Sequence, residues 1–196
     1  NQNYTVNDGA AGTQTLSTGA KSASTIRYAN TSTLDLNGDT MTMGLGGILI
    51  SENVTGNTAL QNGTLSLNNN VGGLAVMNYS SGTCTLSANL TGTADFNKYG
   101  DGAGILSGNN TISGATIRDS SGLLELGSAT ALGTNNALIM GDNTSILDLH
   151  GYNANVSSLN SDSTLGLPGS QAAARGYNTQ VANLDPNGGT ISRIII

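Results

Sequence analysis

The chain has 196 residues, 28 of them glycine, with 9% charged residues, 4% aromatic residues and a formal net charge of -6. Its six basic residues (Lys21, Arg27, Lys98, Arg118, Arg175 and Arg193) form no stripe, so nucleic acid is excluded as a partner. No apolar run approaches the roughly 18 residues of a membrane-spanning helix, and the abundance of Thr, Ile and Val argues against disorder.

In chain order, residues 1–28 are polar and rich in Gly and Thr, with short alternating runs at "TVN" and "STIRY". They read as an N-terminal arm or an irregular first coil. The start lacks Met, a basic n-region and an apolar h-region, which fits a mature product after signal-peptide removal, or an excised fragment.

Residues 29–190 repeat one signal. "STLDLNG", "GTLSLNN", "GGLAVMN", "GLLELGS", "SILDLHG" and "STLGLPG" each alternate apolar and polar residues and stop at Gly or Asn. Alternation with period two puts one face in and one face out. Gly and Asn tolerate positive φ and end such strands cheaply. The segment "NTSTLDLNG" at 30–38 returns as "NTSILDLHG" at 143–151. Strand-turn units that recur without long amphipathic helices predict an all-β solenoid. The best helical stretch, "SQAAARG" at 170–176, is too short for more than a turn. A repeat of roughly 20–25 residues implies about eight or nine coils and a rod of about 40 Å. Small inward residues suit so narrow a core, and stacked Asn and Thr can form ladders along the axis, with 67–70 and 108–110 as candidate turns.

Single residues carry little chemistry. Cys84 is the one cysteine and shares strand parity with Leu86, so it reads as a buried, inert thiol. His150 is the one histidine and reads as a solvated turn or strand-end residue, without the companions of a zinc set. Asp35 and Asp39 sit across a glycine turn, and Asp95 and Asp101 flank Lys98; both acid pairs read as solvated turn residues. "YGDGAG" and "GDN" are weak echoes of a calcium repeat, and "GLGG" lacks the ending of a phosphate loop. No cofactor or metal is expected.

Residues 97–127, "NKYGDGAGILSGNNTISGATIRDSSGLLELG", resemble the autotransporter-associated β-strand repeat. The matching pieces are Lys98, Gly102 with Gly104, Ile105 with Leu106, "SGNNT" at 107–111, "GATI" at 114–117 and "LELG" at 124–127. The continuation to residue 160 is similar to the segments downstream of that repeat in the family. The resemblance implies a right-handed parallel β-helix in a secreted or surface-displayed bacterial protein. Two features depart from it: Ile112 stands where the family often has an aromatic residue, and the family's C-terminal membrane barrel is not read in these residues, which is expected if it has been removed or if the coils serve another purpose.

The last stretch, 191–196, is an apolar strand, "ISRIII". Apolar residues on both faces predict burial on both faces. Solenoid ends expose unpaired backbone groups and a slice of core. Ile191, Ile194, Ile195 and Ile196 are therefore the expected self-assembly residues, covered by an identical subunit in head-to-tail contact. The alternative is that Ile194 to Ile196 fill the last layer of their own core. The main functional expectation is a non-enzymatic structural subunit of an extracellular or cell-surface filament. An adhesin-like passenger fragment is the alternative, with surface glycans or host ligands as partners and 168–190 as its longest loop. A carbohydrate-active β-helix enzyme comes third, since no acids converge in the sequence.

Overall fold

A computed structural model describes residues 2–6, 9–44, 46–67, 73–141, 145–161, 180–182 and 194–196. The expected strand "STLGLPG", the helical stretch at 170–176, most of the 168–190 loop and Ile191 lie outside the described residues.

The described residues contain strands and no helix. β1 (Gln2–Val6) is followed by β2 (Gly12–Thr15) and β3 (Lys21–Tyr28). Complete coils then carry three strand positions each. They are β4 (Ser32–Asp35), β5 (Thr40–Met43) and β6 (Gly47–Ile50); β7 (Thr58–Gln61), β8 (Thr64–Leu67) and β9 (Leu74–Asn78); and β10 (Cys84–Leu86), β11 (Asn89–Gly92) and β12 (Phe96–Tyr99). In the next two coils the middle position shrinks to a bridge between Ser113 and Thr134. It lies between β13 (Gly104–Leu106) and β14 (Thr116–Asp119) in one coil, and between β15 (Leu123–Leu126) and β16 (Ala137–Met140) in the other. β17 (Ile146–Asp148), β18 (Ala154–Asn155) and β19 (Ser158–Ser161) restore it, and β20 (Gln180–Ala182) and β21 (Ile194–Ile195) come after them.

Every strand pairs in parallel with its counterpart one coil away. The first positions form an eight-stranded sheet, β2-β4-β7-β10-β13-β15-β17-β20. This is the expected β-solenoid, with about seven turns. The count is below eight or nine because three of the coils, at 26, 26 and 34 residues, exceed the expected repeat. Gly12 pairs with Ser32 twenty residues on, whereas Thr33 pairs with Ala59 twenty-six residues on. Residues 2–28 add β1, β2 and β3 to the same sheets, and Tyr28 is fully buried.

The alternating leucines become a column. Leu34 pairs with Leu60, Leu60 with Leu86, Leu86 with Leu106 and Leu106 with Leu126, and all five are buried. Each rung thus places a branched side chain on the one below, and the core has no thickness beyond one layer per coil. Buried asparagines tie the rungs where strands stop. The Asn110 side chain accepts from Leu90 N at 2.8 Å and donates to Ala131 O at 2.7 Å. Asn136 accepts from Ala115 N and donates to Leu132 O and Ile112 O. Outside, Asn89, Asn109 and Thr130 form a polar ladder. These are the ladders foreseen for 108–110; of 67–70, residues 68–70 lie outside the described residues. The Asn110 carboxamide bonds the coil below and the coil above at once, and that of Asn136 joins the coil below to its own.

Candidate functional site

The solenoid exposes its strands' outward residues in registered rows. One row on the third strand position runs Arg27, Leu49, Met77 and Tyr99. Arg27 and Tyr99 are exposed, and Leu49 and Met77 are half-buried. Tyr79 is 54% exposed, and its ring edge lies against Gly100, the residue next to Tyr99. A side chain at Gly100 would run first into the backbone carbonyl of Asn78 and then into that ring, so glycine here lets the two coils stack closely beside Tyr79. The result is a low-charge stripe of aromatic and aliphatic surface, with Arg27 at one end.

The interior holds charge that the sequence did not lead us to expect. Lys98 lies fully buried in β12 and pairs in register with Asp119 of β14, also fully buried. Only the flanking Asp95 and Asp101 were expected to be solvated turn residues; the burial of Lys98 between them was not foreseen. Lys98 shares strand parity with buried Phe96, and that parity was the available signal. Its Nζ donates to Gly100 O at 2.6 Å and Ser121 O at 2.5 Å. Neither Asp119 oxygen receives a hydrogen bond from the described residues. Burial lowers the Lys98 amine to about 8, while the charges of Asp119, Asp101 and Cys84 oppose the shift. Burial raises Asp119 to about 8, opposed by Lys98. Gly122 completes the pocket: at φ +72° its missing Cβ would stand 2.5 Å from Lys98 Nζ.

Cys84 is buried, and burial pushes its thiol up to about 11, which keeps it protonated and unreactive at neutral pH. Asp35 and Asp39 do turn work. The Asp35 carboxylate accepts from Asn37 N, Gln61 Nε2 and Asn62 Nδ2, and the Gln61 bond leads in holding its pKa below the usual carboxylate value. Asp39 accepts from Gly19 N and Asp95 from Thr116 N. Exposed His150 does sit at a turn, but the structure gives it company. Glu125 and Asp148 pair in register on adjacent rungs, and donor atoms of Glu125, Asp148 and His150 lie within 4.8 Å of one another.

Of the expected assembly residues, Ile194 and Ile195 form β21 beside β18 of the same chain. Val156 N donates to Ile195 O at 2.9 Å. Ile194, partly buried, packs against the core of its own chain. The reason is that β18 offers a matching parallel edge one coil below. Ile195 is 48% and Ile196 is 77% exposed.

No family model and no solved structure matches the chain. The chain is 33% identical over 128 residues to a protein named Adhesin BmaC autotransporter, from Brucella suis biovar 1 (strain 1330). The match covers 59% of this chain and 4% of that protein, so the chain spans a small part of its relative's length. A β-solenoid with this likeness fits an autotransporter passenger, and the finer repeat-level resemblance rests on residues 97–127.

Proposed function

We propose that the chain is an adhesin-like passenger segment, displayed at the cell surface or secreted, that acts by binding and not by catalysis. The likeness to the autotransporter adhesin carries this reading. The architecture supports it, since a parallel solenoid offers long, flat, rigid sides. The stripe of Arg27, Leu49, Met77 and Tyr99, with Tyr79 beside it, is the face assigned to contact. Exposed tyrosines combine apolar area with a hydroxyl at low entropic cost, a common composition of contact surfaces. Surface glycans or host proteins are its ligand classes.

Polystyrene beads coated with the purified chain test this on cultured mammalian cells and on a glycan array. Coated beads are expected to adhere well above albumin-coated beads, and the double variant Tyr79→Ser, Tyr99→Ser to lose most of that excess. Adherence equal to albumin on both surfaces overturns the adhesive reading.

A second reading, end-to-end assembly, has one observation in its favour: Ile195 and Ile196 project from the rung formed by β21. The relative's name points to adhesion instead, so assembly stands second.

A further inference from the structure

We propose that Glu125, Asp148 and His150 form a binding site for a divalent transition-metal ion of the zinc type. Their donor atoms lie within 4.8 Å of one another. His150 Nδ1 and Glu125 Oε1 are 3.8 Å apart. A tetrahedral ion with bonds of about 2.0–2.2 Å separates its ligand atoms by about 3.4 Å, so the three close onto an ion with shifts of the order of 1 Å. Two of the side chains have room for such shifts, His150 at 42% and Glu125 at 22% exposure.

The scaffold aims these groups by means that do not depend on the ion. β15 and β17 hold Glu125 and Asp148 directly opposite each other. Asp148 is 3% exposed, and its Oδ1 accepts from His150 N at 2.9 Å. That bond sets the turn, in which His150 takes a left-handed φ of 43° before Gly151 at 83°. Like charges facing each other across paired strands repel, and a dication between them turns that cost into attraction. The donor chemistry selects the ion. One imidazole and two carboxylates suit zinc and its neighbours, whereas calcium takes six to eight oxygens and magnesium keeps its waters. Three protein ligands leave a position for water.

The related turn at 35–38 supplies an internal control. There Asn37 takes the place of His150 at φ 57°, and the carboxamides of Gln61 and Asn62 donate to Asp35. The same turn without an imidazole and with donors around its acid has no ligand set. It also indicates that the variant His150→Asn will keep the fold, since Asn already holds this conformation.

The test is calorimetric titration of the purified, chelator-treated chain with zinc chloride at neutral pH, with calcium and magnesium chloride in parallel. One zinc per chain is expected, with a rise in melting temperature, and with affinity falling about tenfold or more in His150→Asn and in Glu125→Gln. In addition, the single imidazole gives one set of NMR resonances, which is expected to move at one equivalent of zinc without any variant. The proposal is overturned by no zinc binding, by equal affinity in the wild type and a folded His150→Asn variant, by calcium binding as tight as zinc, or by an unmoved imidazole. It is independent of the adhesive reading, since the tyrosine stripe lies on a different strand position.

Discussion

The turns at 35–38 and 148–151 are nearly the same in sequence and in backbone, yet they differ in chemistry. In both, an Asp side chain accepts from the backbone N–H two residues on. In both, a left-handed residue precedes a left-handed glycine: Asn37 and Gly38 in one, His150 and Gly151 in the other. The neighbouring coil makes the difference. Asp35 faces Gln61, a donor, whereas Asp148 faces Glu125, another acid. A local motif thus sets the shape of a turn, and the adjacent rung sets its electrostatics.

The interior tests the same idea most severely. There Asp119 faces a cation, Lys98, with both fully buried. Lys98→Ala is expected to cost about 3–5 kcal/mol in urea unfolding, because it leaves buried Asp119 and the carbonyls of Gly100 and Ser121 without their partner. The double variant Lys98→Met, Asp119→Leu is expected to recover most of that loss; a double as unstable as the single would mean that packing, not charge, is at stake. The pair also predicts a pH signature. Asp119, raised to about 8, adds stability that is complete below the ordinary carboxylate range and is lost as pH rises toward 8. Lys98, lowered to about 8, regains stability as pH rises from 8 toward the ordinary lysine value. The wild type's melting temperature, measured against the double variant, should pass through a minimum near pH 8.

Beneath the two turns the core should be equivalent. Leu34→Ala and Leu147→Ala, both fully buried, are each expected to cost about 2–5 kcal/mol. Unequal losses in chemical denaturation would show that the two ends of the solenoid are not equally packed.

The smallest effect separates the turns themselves. Asp35→Ala removes three hydrogen bonds and is expected to lower the melting temperature detectably. Asp148→Ala relieves Glu125 of a facing acid, which is expected to offset part of what the lost bond to His150 costs when no metal is bound. Asp35 has a lowered pKa, so its contribution is present above the unfolded carboxylate value and disappears as pH falls through the folded one. Asp35→Asn should flatten that acid limb of a melting-temperature profile.

Several of these features were legible in the chain itself. The leucines of "STLDLNG" and "SILDLHG" point inward because period-two alternation needs only local backbone geometry. Cys84 followed from its parity with Leu86. Lys98 did not, because a lysine beside two acids reads as solvated until its strand is known to face the core. The tyrosine stripe was invisible for another reason: Tyr99 lies twenty-two residues from Met77, and the two become neighbours in one row only when the coils stack.

Sequence alone thus determined the kind of element, its inward face and the shape of its turns, all of which depend on neighbours along the chain. The tertiary structure alone decided which residue stands on which. Successive coils step by 20, 26, 26, 20, 20, 23 and 34 residues with no fixed period, so register comes from the stacking of whole rungs. That stacking placed Asp119 beside Lys98, and Glu125 beside Asp148 and His150.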